Sequence, residues 1–442
     1  MLALCAPFLC LHERYDPNLV TGAGSAGVTV SLSDIAALLI VLAAARAAHR
    51  LGIEPLRRGG WTLTASLTLI AAVLLWTALG PVLTDGYPLA HSAVSAAKFV
   101  EYGLFVLAVP LIVRRRGDAL AVAAVLTVVA AAASVGGILQ IVGLVGNLDN
   151  VPAGRRMPSF LGYHDFSALS GMVLGLALAV IASGSWACLR GLAAVAAVAG
   201  VIGVVISGAM ATVLALLLGG CVVALYMMVR HTLSFRRVLA VGGLLLAMLA
   251  GSLTLRAGDV ANYVGFLDRT QAASGNIETY SQRTVLAYIG WEIFRAHPLT
   301  GVGWQASELP ANFDPHLAAA HRRFPDAPAA AFPSESRRWG VQNAYVQAAA
   351  DMGVLGFLAL LAALGSAFFR VTVRGMRGAT PPDPLAPALA LALLVGAAVW
   401  AALGLVPGVP ATALLWLAIG GAVALPRAGA LPDDPQEGTL RG

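Results

Sequence analysis

This sequence carries little charge. Only 11% of its 442 residues are Asp, Glu, Lys or Arg and 59% are hydrophobic, where soluble domains carry about 25% charge. That composition excludes an ordinary soluble domain. Lysine is nearly absent, Lys98 standing alone among 28 basic side chains, and no basic run is long enough to form a nucleic-acid surface. The net charge of +6 is therefore an arginine bias and implies no nucleic-acid partner. Four cysteines, Cys5, Cys10, Cys188 and Cys221, have neither metal-ligand nor redox spacing. The ten-residue alternation of a membrane β-barrel is missing as well.

What is present is a series of apolar runs near bilayer length. They cover about 29–48, 61–80, 90–113, 118–142, 164–184, 187–206, 209–229, 236–256, 341–369, 385–405 and 408–425. The fold class is all-α: a polytopic transmembrane helical bundle of about 11 to 12 spans. Residues 1–11 are apolar with no preceding positive charge, and Glu13 and Arg14 follow them. That pattern fits a half-helix or a piece of a longer first span better than a cleavable signal peptide.

If the spans alternate, the joints with Arg50, Arg57 and Arg58, with Arg114, Arg115 and Arg116, with Arg190, with Arg230, Arg236 and Arg237, and with Arg370, Arg374 and Arg377 share one side. The short joints opposite hold only Arg155 and Arg156. The positive-inside rule makes the arginine-rich side cytoplasmic. Four regions follow: a membrane bundle over 1–256, a large extracytoplasmic arginine-rich loop over 257–340, three further spans over 341–425, and a disordered cytoplasmic tail over 426–442. The loop should carry an amphipathic helix over 283–296, with Val285, Leu286, Ile289 and Ile293 as its apolar stripe, Ser281 as its cap and Pro298 as its stop.

Polar residues collect near the outer ends of the helices. Asn343, Gln347 and Asp351 recur at i, i+4 and i+8, one stripe descending the helix that begins near 341. Gln347 and Asp351 read equally well as interhelical hydrogen-bonding groups. Gln342 and Asn343 follow Arg337 and Arg338 at a helix N-terminus, where free amides and guanidinium groups form an anion site. Arg155 and Arg156 stand in the same relation to the helix beginning at His164 and Asp165, and Arg283 to the start of the loop helix. Lys98 and Glu101, at i, i+3, read first as a mutually neutralising pair, with Lys98 able to add charge to a phosphate pocket from below. His297 reads as a residue that shapes the loop.

Four stretches together resemble the O-antigen ligase and O-antigen polymerase superfamily of bacterial membrane glycosyltransferases. They are Arg156 with Phe160, Gly162, His164 and Ala168; Ser207, Gly208 and Ala209, a Ser-Arg-Gly element lacking its arginine; Arg283 through Trp291 to Pro298, Leu299, Thr300, Gly301, Val302 and Gly303; and Gln342, Asn343, Tyr345, Gln347, Gly353, Val354, Leu355 and Gly356. The likeness covers the second half of the chain well and the first half only through its span pattern.

The resemblance implies a GT-C-like bundle in the bacterial inner membrane. The implied activity is transfer of an undecaprenyl-diphosphate-linked glycan to a lipid or growing-glycan acceptor, with neither cofactor nor metal. It implies diphosphate binding by Arg156 and Arg283, to which the helix-end reading adds Arg155, Arg337, Arg338 and Lys98, and catalytic positions at His164, Arg283, Gln342 and Asn343, supported by Gln347 and Asp351. The family's usual base is the His that here is Gln342, which cannot titrate. A substitute is then sought in His164 first, at the family's own His position, or in Asp165, Asp351, Glu335 or His321. Two other readings stay open: a protein O-oligosaccharyltransferase using the same donor, and a lipid-glycan transporter, which would show charges from both leaflets lining a central cavity.

Overall fold

The computed structural model describes residues 1–12, 16, 18–23, 28–146, 156–184, 189–229, 234–268, 278–327, 329–333, 340–375 and 383–425; within these, side chains are left aside at 18–29, 229, 257–268, 278–280, 330, 374 and 375. The chain is a bundle of α-helices. The main ones are α1 (Leu32–Leu51), α2 (Gly60–Leu83), α3 (Leu89–Ile112), α4 (Arg116–Ile141), α5 (Tyr163–Ser183), α6 (Arg190–Ser207), α7 (Met210–Val229), α8 (Phe235–Asp268), α9 (Glu278–Ala296), α10 (Ala344–Phe369), α11 (Leu385–Leu403) and α12 (Pro410–Ala424). Ten of these, all but α9 and α12, are long and apolar enough to cross a membrane. The protein is therefore a polytopic all-α membrane protein. The eleventh apolar run becomes α12, a shorter helix of 15 residues. The N-terminal apolar segment forms a half-helix, Leu2–Cys5, and a 3-10 turn, Phe8–Cys10.

Helix α5 is the axis of the bundle, 94% of its span buried, with α4, α6, α7 and α11 packed around it. Small residues permit this closeness. A side chain at Gly200 of α6 would run into the backbone of Leu174 on α5, and one at Gly171 or Gly175 of α5 into Val395 or Leu391 of α11. The outer helices show the opposite pattern. On α7, Leu214, Leu218, Val222 and Leu225 are all more than half exposed at helical spacing, a stripe suited to lipid and to nothing in water.

Helix ends are closed by local chemistry. Ser31 N donates to Asp34 Oδ2 at 2.8 Å, and Asp16 Oδ1 accepts from Leu32 N at 2.8 Å, together closing the start of α1. That start falls at residue 32 and not at 29, because Val28–Ser31 pairs with Asn18–Ala23 in a two-stranded antiparallel ribbon. Arg370, buried at the far end of α10, donates to the carbonyls of Ala422 and Val423 at 2.7 and 3.1 Å. A cation there suits the negative end of α12.

Two boundaries differ from the pattern-based reading. Helix α8 runs 34 residues, 12 beyond its apolar span, so Arg256 lies within a continuous helix and not at its edge. Helix α9 begins at Glu278, which puts Ser281 inside it as a fully buried residue and not at the cap. Arg283 consequently sits in the second turn, away from the positive end of the helix, and the dipole argument for an anion there loses its basis.

Candidate functional site

The site is assembled on a broken helix. Gly353 interrupts α10 with φ 63° and ψ −165°, which frees backbone groups that must be satisfied in an apolar setting. The segment following α9 meets them. Val354 N donates to Pro298 O at 2.8 Å, Val302 N to Ala350 O at 3.1 Å, and Gly303 N to Asp351 O at 2.8 Å. This exchange explains the glycines of the Pro-Leu-Thr-Gly-Val-Gly run. Gly301 has φ 61°, and a side chain on it would overlap the Asp351 carbonyl; one on Gly353 would overlap the Leu299 carbonyl. Thr84 Oγ1 donates to Val302 O at 2.6 Å, Tyr87 OH to Trp304 O at 2.8 Å, and Trp76 Nε1 to the Thr300 carbonyl. The loop is thus sewn into α2 and the α2–α3 joint as well as into α10.

The polar stripe of α10 performs this work. Asn343 is the N-cap, its Oδ1 accepting from the amides of Tyr345 and Val346, each at 3.1 Å. Those two amides are taken, so the head of α10 offers them to no external anion. Gln347 Oε1 accepts from Leu405 N at 2.8 Å. Asp351, fully buried, accepts from Gln305 N at 3.1 Å and Ser307 N at 2.9 Å, closing the 3-10 turn Ala306–Glu308. Both of its oxygens are engaged by the loop, an arrangement for architecture and not for a base.

Around the heads of α5 and α7 the arginines converge. Arg156 Nε donates to Ser207 O at 2.9 Å, and its guanidinium lies 4.7 Å from the Tyr163 ring centroid. Arg256, 5% exposed, donates from Nη1 to Gly208 O at 2.6 Å. Gly208, left-handed at φ 63°, lies between the two side chains, with the Arg156 Cγ and Arg256 Cδ about 3 Å from where its Cβ would be. Arg283 Nη2 is 2.9 Å from His164 Nε2. Because a guanidinium only donates, His164 Nε2 is the acceptor and its proton resides on Nδ1. Both Arg283 and Arg156 lie within electrostatic reach of His164. Three guanidinium groups from the 156–162 turn, α8 and α9 thus meet on one histidine and one glycine turn.

Other expected residues are placed differently. Asp165 Oδ1 accepts from Ala411 N at 2.7 Å, capping α12. Lys98 Nζ binds both oxygens of Asp34, at 3.0 and 3.1 Å, so its charge is engaged across the bundle by Asp34, where spacing had suggested Glu101. Its aliphatic chain lies against Gly408. His321 stacks on Phe332 at 3.8 Å between ring centroids, within the loop's own apolar cluster. Gln342 is half-buried just before the α10 cap. Arg155, Glu335, Arg337 and Arg338 lie outside the described residues. Among the described residues, no group of three or more His, Cys, Asp or Glu side chains is gathered to hold a metal ion.

Two residues were not singled out from the sequence. Arg256 closes the apolar run over 236–256, and a basic residue at that end is the signal the sequence offers for it. Glu308 lies on the loop's 3-10 turn with its carboxylate against Gly340. Glu308 is exposed to solvent as a residue, and crowding on its packed side, then the Asp351 charge, push its acid up.

The fold and the site define a polytopic helical membrane protein with arginines gathered at one place among its helix ends, an arrangement able to hold an anion. Residues 193–361 match the family model described as O-antigen ligase, which supports a likeness to the O-antigen ligase/polymerase superfamily over that part of the chain. No curated protein matches it. The matched stretch contains Gly208, Arg256, Arg283, the docked loop and the Gly353 break. The matched family is one of membrane glycosyltransferases of the ligase or polymerase type.

Proposed function

We propose that the protein transfers a glycan from a polyprenyl-diphosphate donor to a lipid or growing-polysaccharide acceptor, on the non-cytoplasmic face of the bacterial inner membrane, in a GT-C-like bundle. The observation that carries this reading is the meeting of Arg156, Arg256 and Arg283 at Gly208 and His164. A diphosphate leaving group gains negative charge as the C1–O bond to the sugar breaks. Preorganised guanidinium groups aimed at that charge in a water-poor site lower the barrier without rearranging. Arginine suits this task because its planar fork binds phosphate oxygens in pairs and keeps its charge when buried.

In this reading Arg283 is the movable member. His164 holds it and yields it to a phosphate oxygen, a stronger acceptor than a neutral imidazole. Arg156 and Arg256, fixed to main-chain carbonyls, form the static wall, and Arg155, Arg337 and Arg338, outside the described residues, are kept as further candidates for the diphosphate. Asn343, Gln347 and Asp351 act by holding the loop. Lys98, tied to Asp34, is not assigned to the diphosphate.

Replacing Arg283 with Ala in the native host, followed by analysis of surface polysaccharide and lipid-linked intermediates, tests the proposal. Lipid-linked glycan should accumulate while finished polymer disappears. Unchanged glycans in both pools would sink it.

A further inference from the structure

The helices supply a height scale for the loop. Arg370 Nη1 donates to Arg58 O at 2.8 Å, so the arginine-bearing ends of α2 and α10 lie at one level. Trp61 is exposed beside them, and tryptophan with arginine marks the place where a span meets water. From that level, at 1.5 Å per residue, Trp76 stands about 22 Å along α2 and Gly353 about 25 Å along α10. Any tilt lowers both. These two positions hold the segment that follows α9: Trp76 Nε1 donates to the Thr300 carbonyl, and Val354 N to Pro298 O at 2.8 Å. Because the hydrocarbon of a bilayer is about 30 Å thick, residues 298–301 lie within it and not above it.

What faces outward at that depth is apolar. Leu299 is 70% exposed, and its carbonyl sits where a side chain on Gly353 would be. Just below, Leu355, Leu358 and Leu361 form an exposed stripe on the membrane-spanning α10. A stripe of that kind suits lipid, and Leu299 continues it upward. On α9 itself Val285, Leu286, Ile289 and Ile293 are buried in the loop's own cluster. Helical spacing puts Trp291 on the opposite side, 49% exposed, its ring 5.3 Å from that of the half-buried Phe294. Arg295 pairs with Glu292 at 3.1 Å and keeps its side chain largely open, which lets the stem lie along apolar surface while the charge stays in water.

We propose that this face, Trp291 and Phe294 with Leu299 beyond the helix end, docks into the bilayer leaflet on the loop's side, its partner being phospholipid. Acyl chains cover Leu299 and Trp291, and Arg295 lies at the headgroups. Helix α9 is then an inclined interfacial helix. His164, which holds Arg283, stands about 28 Å along α5 from Ser183, where Arg237 closes the other end at 3.3 Å. Arg283 is thus near the top of the hydrocarbon, and residues 298–301 lie a few ångströms lower. The helix covers about 20 Å between Arg283 and Ala296, so it descends at a shallow angle. This placement stands on heights and exposure, independently of glycosyl transfer. Under the glycosyl-transfer reading, the same anchor sets Arg283 at the level where a lipid-borne diphosphate leaves the hydrocarbon.

The test uses full-length protein in phosphatidylcholine and phosphatidylglycerol nanodiscs, its four cysteines replaced with Ser and its thermal unfolding matched to wild type. A bimane fluorophore is attached in turn at Trp291→Cys, Leu299→Cys and, on an exposed residue of the loop, Arg322→Cys. Phosphatidylcholine carrying a nitroxide high on its acyl chain should quench the labels at 291 and 299 strongly and the label at 322 weakly. Aqueous iodide should give the reverse order. Adding Trp291→Glu to the 299-labelled protein puts a charge at the hydrocarbon boundary, and most of the nitroxide quenching at 299 should disappear. Labels at 291 or 299 that iodide reaches as readily as 322 would overturn the proposal, and so would labels that neither quencher reaches, which would mean a protein occupant. Unchanged nitroxide quenching in the Trp291→Glu protein would overturn Trp291 as the anchor. Neither quencher reports on transfer, so failure of the transferase reading would leave these outcomes as they stand.

Discussion

Replacing Asp351 with Ala should open the docked loop while leaving the bundle folded. The Asp351 carboxylate is fully buried and is the acceptor for two amides, Gln305 N at 3.1 Å and Ser307 N at 2.9 Å. Removing it strands both donors, and each stranded buried amide costs about 1–3 kcal/mol. The loop should therefore lose about 2–6 kcal/mol of local stability, or about 30-fold to 10⁴-fold in its opening equilibrium. Asp351→Asn keeps one carbonyl acceptor and turns an amide group toward the second donor, so its effect should lie between. Hydrogen exchange in detergent micelles, followed on peptides covering 300–313, reads this opening directly. Peptides from α5 and α11 should exchange as in wild type. Wild-type protection over 300–313 in Asp351→Ala would refute the argument that this carboxylate holds the loop.

Further outcomes follow from the same contacts. Gly301→Ala should destabilise the protein by more than the about 1–2 kcal/mol of a left-handed alanine, because its side chain meets the Asp351 carbonyl; Gly60→Ala, at a similar positive φ but with open space around it, is the comparison without that overlap. Thermal inactivation of the two variants should rank accordingly, and equal behaviour would contradict the docking geometry. Asn343→Ala should cost about 0.5–2 kcal/mol as a lost helix cap, with Asn343→Asp largely neutral, both read by thermal unfolding in detergent. If His164 serves to hold Arg283, His164→Gln, which keeps an acceptor, should retain far more transfer than His164→Ala; equal loss in both would restore His164 as a proton acceptor.

Much of the fold was legible because a bilayer imposes length, and arginine marks the joints. The runs over 90–113 and 385–405 became helices over Leu89–Ile112 and Leu385–Leu403. The break at Gly353 was not legible, since apolar periodicity continues through it and a positive φ leaves no mark on hydrophobicity. The stripe of Asn343, Gln347 and Asp351 could be read from spacing, but its partners could not: Leu405, Gln305 and Ser307 come from loops whose return to α10 is a tertiary fact. Lys98 shows the same limit, because spacing along a helix suggested Glu101 whereas Asp34 arrives from α1. Arg156 and Arg283 stood out by their places in recognisable stretches. Arg256 did not, since only the extension of α8 reveals that it enters the bundle beside Gly208.

The central claim is that Arg156, Arg256 and Arg283 form one diphosphate site, and a binding measurement reaches it without knowledge of the sugar or the acceptor. Undecaprenyl diphosphate and undecaprenyl monophosphate would each be titrated into the purified wild type and into the three single Ala variants in nanodiscs. A charge-assisted hydrogen bond contributes about 1.5–3 kcal/mol, so each variant should bind the diphosphate about tenfold to 100-fold more weakly, with a smaller change for the monophosphate. Diphosphate affinity equal to wild type in all three variants would contradict the account.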